Sequence, residues 1–394
     1  MVVPPIARDI AAVVGVLLVA TAASSVVGTL IVPRPVVNWL SRRIDQLVRA
    51  GFLLATKRAP DFKRRDRIQS AHAATLLICQ LLGWLLFFFL GFSLIFWALV
   101  PGGITRAFAV AGPGLWEIGT DRARGGYQQA ILDVASLAGI ITVTLQIAYL
   151  PTLYSAFNRR ETEVALLNAR AGVPSWGPEL LARTHYALGS GVSSVNTLPD
   201  LYGDWERWAS DVAESHTTYL PLVRFRSPKA LSSWVTSLLA VLDSAALYLS
   251  LSPQAAPTVP ARLCLRSGFT CLQEIARAMR IDIPQEPDVE RGISLSYEEF
   301  LDAISRMEQV EFPIERNAAD AWPDFVGWRV NYEAAAYAIA YELDVVPALW
   351  SGPRRHKQTP QIPPLRPPRG RQPMPGKGDD RDPLHDGPSG PAHP

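Results

Sequence analysis

The sequence predicts an all-α membrane protein with three transmembrane helices. A reentrant pore-like loop is expected between the second and third, and a helical domain after them. Three observations carry this. Uncharged apolar runs at 10–33, 71–100 and 134–157 each exceed the roughly 20 helical residues that cross a bilayer core. The connection between the first two is dense in Lys and Arg, and the third ends in Asn158-Arg159-Arg160. The loop at 101–128 is short, glycine-rich and partly apolar.

The first run, within 1–33, reads as a transmembrane helix. A cleaved signal peptide is the rival. It fits poorly, because no basic cluster precedes the run, its apolar core is long, and the strong basic cluster follows it.

Segment 34–70 sets the orientation. Arg34, Arg42, Arg43, Arg49, Lys57, Arg58, Lys63, Arg64, Arg65 and Arg67 are opposed only by Asp45, Asp61 and Asp66. Short loops this basic stay cytoplasmic. The N-terminus is then outside, loop 101–128 faces outside, and everything after 158 is cytoplasmic. Val36, Leu40, Ile44, Leu47, Val48 and Leu54 recur at helical spacing after Pro33, with Trp39 just past the membrane exit. This fits an interfacial helix on the inner leaflet, its arginines near anionic headgroups. An ordinary helix packed on the cytoplasmic domain fits equally well. A nucleic-acid role is set aside, since topology already explains the charge.

Segment 71–157 holds the second and third runs and the loop between them. Two spans joined by so short an outer loop form the layout of a pore module. Irregular backbone at membrane depth is tolerated only when buried in protein or lining water. Ile104 to Val110 suit a short pore helix, and Gly112-Pro113-Gly114 suit its break or cap. Leu115 to Asp121 would then ascend, with glycine permitting a carbonyl-forward backbone. A plain surface loop with a turn at Gly112–Gly114 is the competing reading.

From 158 to 350 the chain reads as a soluble helical domain. The third helix continues through 161–171 until Pro174 and Pro178 break it. Helices are expected near 178–187, 198–215, 228–251, 260–280, 296–309 and 325–344. Leu201, Trp205, Trp208 and Val212 form a core stripe at helical spacing. Tyr219 to Phe225 is the one stretch that suits an extended segment. Stretch 230–251 is long and apolar, but it contains Asp243 and several serines, which favours a buried soluble helix over a fourth span. The remainder, 351–394, holds twelve prolines with Gly, Arg and Asp. It is expected to be a disordered extension.

Composition agrees with a chain part membrane and part polar: 48% hydrophobic, mean hydropathy +0.11, net charge +2. Cys79, Cys264 and Cys271 do not make a disulfide framework, and Cys264 and Cys271 read as small core residues rather than metal ligands. Asp204, Glu206, Asp211 and Glu214 read as the solvated face opposite Trp205 and Trp208. His185 and His216 read as groups that satisfy helices. No phosphate-binding glycine loop, nucleophile elbow or zinc-protease motif occurs, so no enzyme, cofactor or metal is expected.

The end of the third run, from Ile147-Ala148-Tyr149-Leu150-Pro151 through Asn158-Arg159-Arg160-Glu161, resembles the inner-helix exit of bacterial membrane proteins carrying a potassium-channel-like ion-channel domain. In that family a helical cytosolic region follows, similar in layout to the stretches at Arg226-Ser227-Pro228 and Leu242-Asp243-Ser244. The resemblance covers about 72–350. It implies a filter at Ile118, Gly119 and Thr120. Potassium channels carry Thr-Val-Gly-Tyr-Gly there, whereas Asp121, Arg122 and Arg124 follow Gly119-Thr120 here.

A channel-like module passing monovalent cations is therefore one expectation. Glu117 and Asp121 would supply acidic rings at the outer mouth. Gly139 would serve as an inner-helix hinge, Pro151 as a kink, and Gln146 would line the pore or bond a neighbouring helix. Such a pore needs several chains around one axis, so a homo-oligomer is expected, a tetramer if it conducts. Close packing through Gly83, Gly91, Ala135, Ala138 and Gly139 would hold it in the lipid bilayer. The alternative is a non-conducting membrane scaffold or sensor that keeps the fold without the filter.

Overall fold

A computed structural model describes residues 5–32, 39–59, 61–99, 103–115, 126–186, 197–284, 292–356 and 358–365. In chain order the helices are α1 (Pro5–Leu30), α2 (Trp39–Lys57), α3 (Phe62–Ser70), α4 (His72–Leu99), α5 (Ile104–Gly114), α6 (Gly126–Ala171) and α7 (Gly177–Tyr186). They continue as α8 (Leu198–Thr218), α9 (Trp234–Leu251), α10 (Thr258–Ala278), α11 (Tyr297–Glu308), α12 (Ala318–Arg329) and α13 (Glu333–Leu343). Among the described residues there is no strand, only an isolated bridge between Ala348 and Gln361. The extended segment expected at Tyr219–Phe225 is instead a 3-10 turn, Leu220–Arg224, with Pro221 in its first turn.

Four helical stretches are long and apolar enough to cross a membrane: Ile6–Leu30, Phe62–Leu99, Gly126–Ala171 and Trp234–Leu251. The first three expose much of their apolar surface, whereas the fourth is buried along its whole length. α6 is one unbroken helix, about 70 Å at 1.5 Å per residue. It is the axis on which the two halves of the molecule are built.

In the first half, α1 lies along α4, and α5 sits against α4 and α6. Their core is Ala22, Val26, Trp84, Phe88, Phe92, Phe96, Ala107, Ala111 and Leu132. The backbones of α1 and α4 meet at two glycines. A Cβ on Gly15 would lie 2.6 Å from the Gly91 carbonyl oxygen, and one on Gly91 would lie 2.9 Å from the Gly15 carbonyl oxygen. Such approach is open only to glycine.

The second half wraps α9. A helix apolar on every side must be covered on every side, and α9 is covered by α6, α7, α8, α10, α12 and α13. α11 opens with a reciprocal cap: Ser296 accepts from the Glu299 backbone N–H while the Glu299 carboxylate accepts from the Ser296 N–H. The helix expected over 325–344 is two helices. Asn331 sits in the break, its amide donating to the Gly327 and Trp328 carbonyls at the end of α12.

The domain runs past the boundary expected at 350. Arg354 is buried and donates to the carbonyls of Val345, Val346 and Ser351. Pro363 packs at Gly172, and Arg183 donates to the Pro364 carbonyl. A guanidinium turned inward onto backbone carbonyls replaces the apolar side chains that this proline-rich stretch lacks.

Candidate functional site

The candidate pore elements assemble around α5. This short helix spans Ile104–Gly114, so a helix forms over the expected Ile104–Val110 stretch and runs on through Gly112-Pro113-Gly114, which form its last turn rather than a break after it. Ala107 and Ala111 are buried, and Phe108 meets Phe89 of α4 edge-on at 5.3 Å between ring centroids. The carboxy-terminal end of α5 is fixed to α6 twice. The Ser136 hydroxyl donates to the Gly114 carbonyl, and the Leu115 carbonyl lies so close to Gly139 that any Cβ there would collide with it.

That contact gives Gly139 a packing role within an uninterrupted α6. Gln146 is 6% exposed, and its amide oxygen has no hydrogen-bond partner among the described residues. Both residues are enclosed by the single chain. Pro151 is exposed, and the helix continues through it without the hydrogen bond that the Ile147 carbonyl would otherwise accept. Glu117, Ile118, Gly119, Thr120 and Asp121, with Arg122 and Arg124, lie outside the described residues.

The small residues expected to mediate assembly are already engaged inside the chain. Gly91 faces Gly15 and Val19, Gly83 faces Ile44, Gly139 faces Leu115, and Ala135 is fully buried. These backbones approach their own neighbours within the chain, and Ala138 is half-buried beside them. A polar cluster that sequence reasoning missed reinforces the same bundle. Trp84 Nε1 donates to Ser25 Oγ at 3.0 Å, and Ser41 Oγ lies 2.8 Å from Ser25 Oγ and 3.1 Å from Thr29 Oγ1. The hydroxyls of Ser25 and Thr29, one helical turn apart in an apolar run, were its available signal.

Where the apolar helices meet the second half, arginines carry the junction. Arg160, one turn beyond the third apolar run, has no exposed surface. It donates to Glu161 at 2.7 Å, to the Leu222 carbonyl at 2.9 Å and to the Phe225 carbonyl at 2.7 Å. Its guanidinium also lies 3.0 Å from His216 Nε2. Arginine can only donate, so Nε2 carries the lone pair and Nδ1 the proton, which faces Ser215 Oγ at 3.0 Å. Burial, then the Arg160 charge, holds the His216 imidazole well below its ordinary value, and it stays neutral. In the sequence Arg160 reads only as a topology signal. Its adjacent Arg159 does remain exposed, paired with Asp211 at 2.9 Å.

The basic segment 34–70 divides its charges likewise. Arg49 pairs with Glu342 at 2.7 Å, Arg65 with Asp344 at 3.4 Å, Asp66 with Arg226 at 2.8 Å and Asp45 with Arg224 at 3.5 Å. α2 therefore has two distinct faces. One face docks on the second half, while Trp39, Leu47 and Leu54 stay exposed on another.

Inside the second half, Arg329 joins Asp243 of α9, Glu333 at 2.7 Å, the Tyr337 hydroxyl at 2.9 Å and the Trp350 carbonyl at 2.7 Å. Tyr332 donates to Asp243 at 2.9 Å. Cys264 and Cys271 are fully buried on α10, and burial pushes both thiols up. Asp204 pairs with Arg207 on the exposed face of α8. Comparison of the chain with protein-family models, with curated proteins and with solved structures finds no match.

Proposed function

We propose that this chain is a multi-pass protein of the inner (plasma) membrane that fixes a helical domain at the cytoplasmic face, as a scaffold or sensor. In this reading α1, α4 and the first part of α6 are three spans, with the N-terminus outside. α5 is a reentrant helix, and α9 is a core helix of the cytoplasmic domain rather than a fourth span. The α4–α5–α6 unit is a channel-like anchor that does not conduct. One observation carries this: Gln146, the one polar side chain offered as a pore lining, is enclosed within one chain. Arg160 and the ion pairs of Arg49, Arg65 and Asp66 couple the spans to the domain, as a transmitter of position requires.

The second reading is a potassium-channel-like pore for monovalent cations, formed by several copies of the chain. It is favoured by α5, which lies between two apolar helices as a pore helix does. Planar-bilayer recording of the purified protein separates the two. The scaffold reading expects no current at any voltage. Cation current that falls when Glu117 and Asp121 are neutralised, and rises when Arg122 and Arg124 are, would replace it with the channel reading.

A further inference from the structure

A cavity of about 480 Å³ opens where the apolar helices meet the second half, bounded by α1, α2, α4, α6 and the ends of α8 and α10. Its polar lining is strongly basic. Arg42, Arg43, Arg49, Arg224 and Arg280 border it, and Asp45 is the acid among its lining residues. Asp45 is 3.5 Å from Arg224, and Arg49 is held by Glu342. Arg42, Arg43 and Arg280 have no carboxylate partner among the described residues, and Arg42 Nε is buried with no hydrogen-bond partner. On the opposite side Gln80 of α4 is 6% exposed, and its amide is likewise unpartnered among the described residues. Arg43 and Arg280 are exposed at its rim, guanidinium groups gathered around one space repel one another, and a buried polar atom without a partner, as Arg42 Nε is, is costly. An anion in the cavity answers both.

The cavity also has an apolar flank. Gly28 and Thr29 at the end of α1 form part of its lining, and beside them Val27 and Ile31 are exposed. Trp39, an interfacial residue type, stands at its edge with half its surface exposed.

We propose that this cavity binds the phosphate headgroup of an anionic phospholipid from the inner leaflet. The phosphate lies among Arg42, Arg43 and Arg280, the Gln80 amide donates to a headgroup oxygen, and the acyl chains follow the exposed flank of α1. The inference rests on the membrane reading given above. Basic pockets between spans at the cytoplasmic face suit such headgroups.

Native mass spectrometry of the full chain, released from nanodiscs of mixed phosphatidylcholine, phosphatidylglycerol and cardiolipin, tests it. The expected result is selective retention of the anionic lipids. The R42Q/R280Q double variant should lower that retention about thirtyfold, the loss of two cationic contacts. Gln80→Leu should lower it about fivefold while leaving thermal stability unchanged or higher, since no protein partner is lost. R207Q, on the exposed face of α8, should change nothing. Equal retention of phosphatidylcholine overturns the inference. So does retention of anionic lipid that the folded Gln80→Leu and double variants leave intact. Displacement of the lipid by millimolar inorganic phosphate would assign the cavity to a soluble phosphate compound instead. Carbonate extraction of membranes reports separately on the membrane reading. A chain that resists extraction yet retains no anionic lipid defeats this inference alone, and a chain that is extracted defeats both.

Discussion

α4 and α9 have the same kind of sequence and opposite surroundings. Each is apolar and long enough to cross a membrane. α4 turns Ile78, Leu82 and Leu86 outward as one stripe, while α9 exposes no residue at all. The two halves built around them are also held differently. Around α4 the forces are short-range: glycine against glycine, a hydroxyl cluster, and interlocked Phe and Trp rings. Around α9 the packing is organised by a buried guanidinium that meets a carboxylate on the helix itself. A helix in lipid needs only close neighbours and an apolar outer face. A helix in a soluble core can carry a charge, provided its partner arrives from elsewhere in the chain.

The largest test of this contrast is the Arg329→Ala substitution. It leaves Asp243 and Glu333 buried without their counter-charge, and should cost about 3–5 kcal/mol in denaturant unfolding of the second half. A loss below about 1 kcal/mol would mean that the guanidinium does not organise that core. Next comes Gly91→Leu, which places a side chain against the Gly15 carbonyl. It should lower the stability of the α1–α4 pair by about 1–3 kcal/mol, read as thermal midpoint in detergent. An unchanged midpoint would show that the helices part freely there.

The third test uses pH. His216 is neutral when folded, with its affinity for a proton depressed by burial and by Arg160. The unfolded chain binds that proton below about pH 6.5 and the folded chain does not. Stability should therefore fall as pH drops from 6.5 towards the depressed folded value, by up to about 1.4 kcal/mol per pH unit. Gln at position 216 keeps an acceptor for Arg160 and removes the titration. Its variant should flatten the profile in that window, and an unchanged slope would assign the acid sensitivity to other groups. The smallest effect is expected from Ser25→Ala, about 1 kcal/mol, because Trp84 Nε1 and Ser41 each lose a partner. No measurable loss would mean that this cluster is satisfied by other groups.

The sequence exposes most of the element order because its signals are local. The apolar runs, the helical stripe of Leu201, Trp205, Trp208 and Val212, and the breaks at Pro174 and Pro178 lie in neighbouring residues. What it hides is long-range. Nothing near Asp243 names Arg329, and nothing near Arg160 names His216 or the carbonyls of Leu222 and Phe225. Basic residues in 34–70 look alike as a cluster, yet Arg65 is buried against Asp344 while Arg43 is exposed beside Trp39. Gly139 reads as a hinge because a lone glycine weakens a helix, and the carbonyl it accommodates belongs to Leu115, at the far end of another element. Of the candidate site, the short helix at 104–114 was legible, and the filter positions 117–121 lie outside the described residues.

The contrast between α4 and α9 is tested most directly by topology. Cys79, Cys264 and Cys271 are replaced by Ala, and single cysteines are placed at the exposed positions Tyr127 and Asp302, before the third span and beyond α9. An impermeant maleimide is then added to intact cells. The account expects Y127C to be labelled and D302C to be protected until the membrane is permeabilised. Labelling of D302C from outside would make α9 a fourth span and contradict the account.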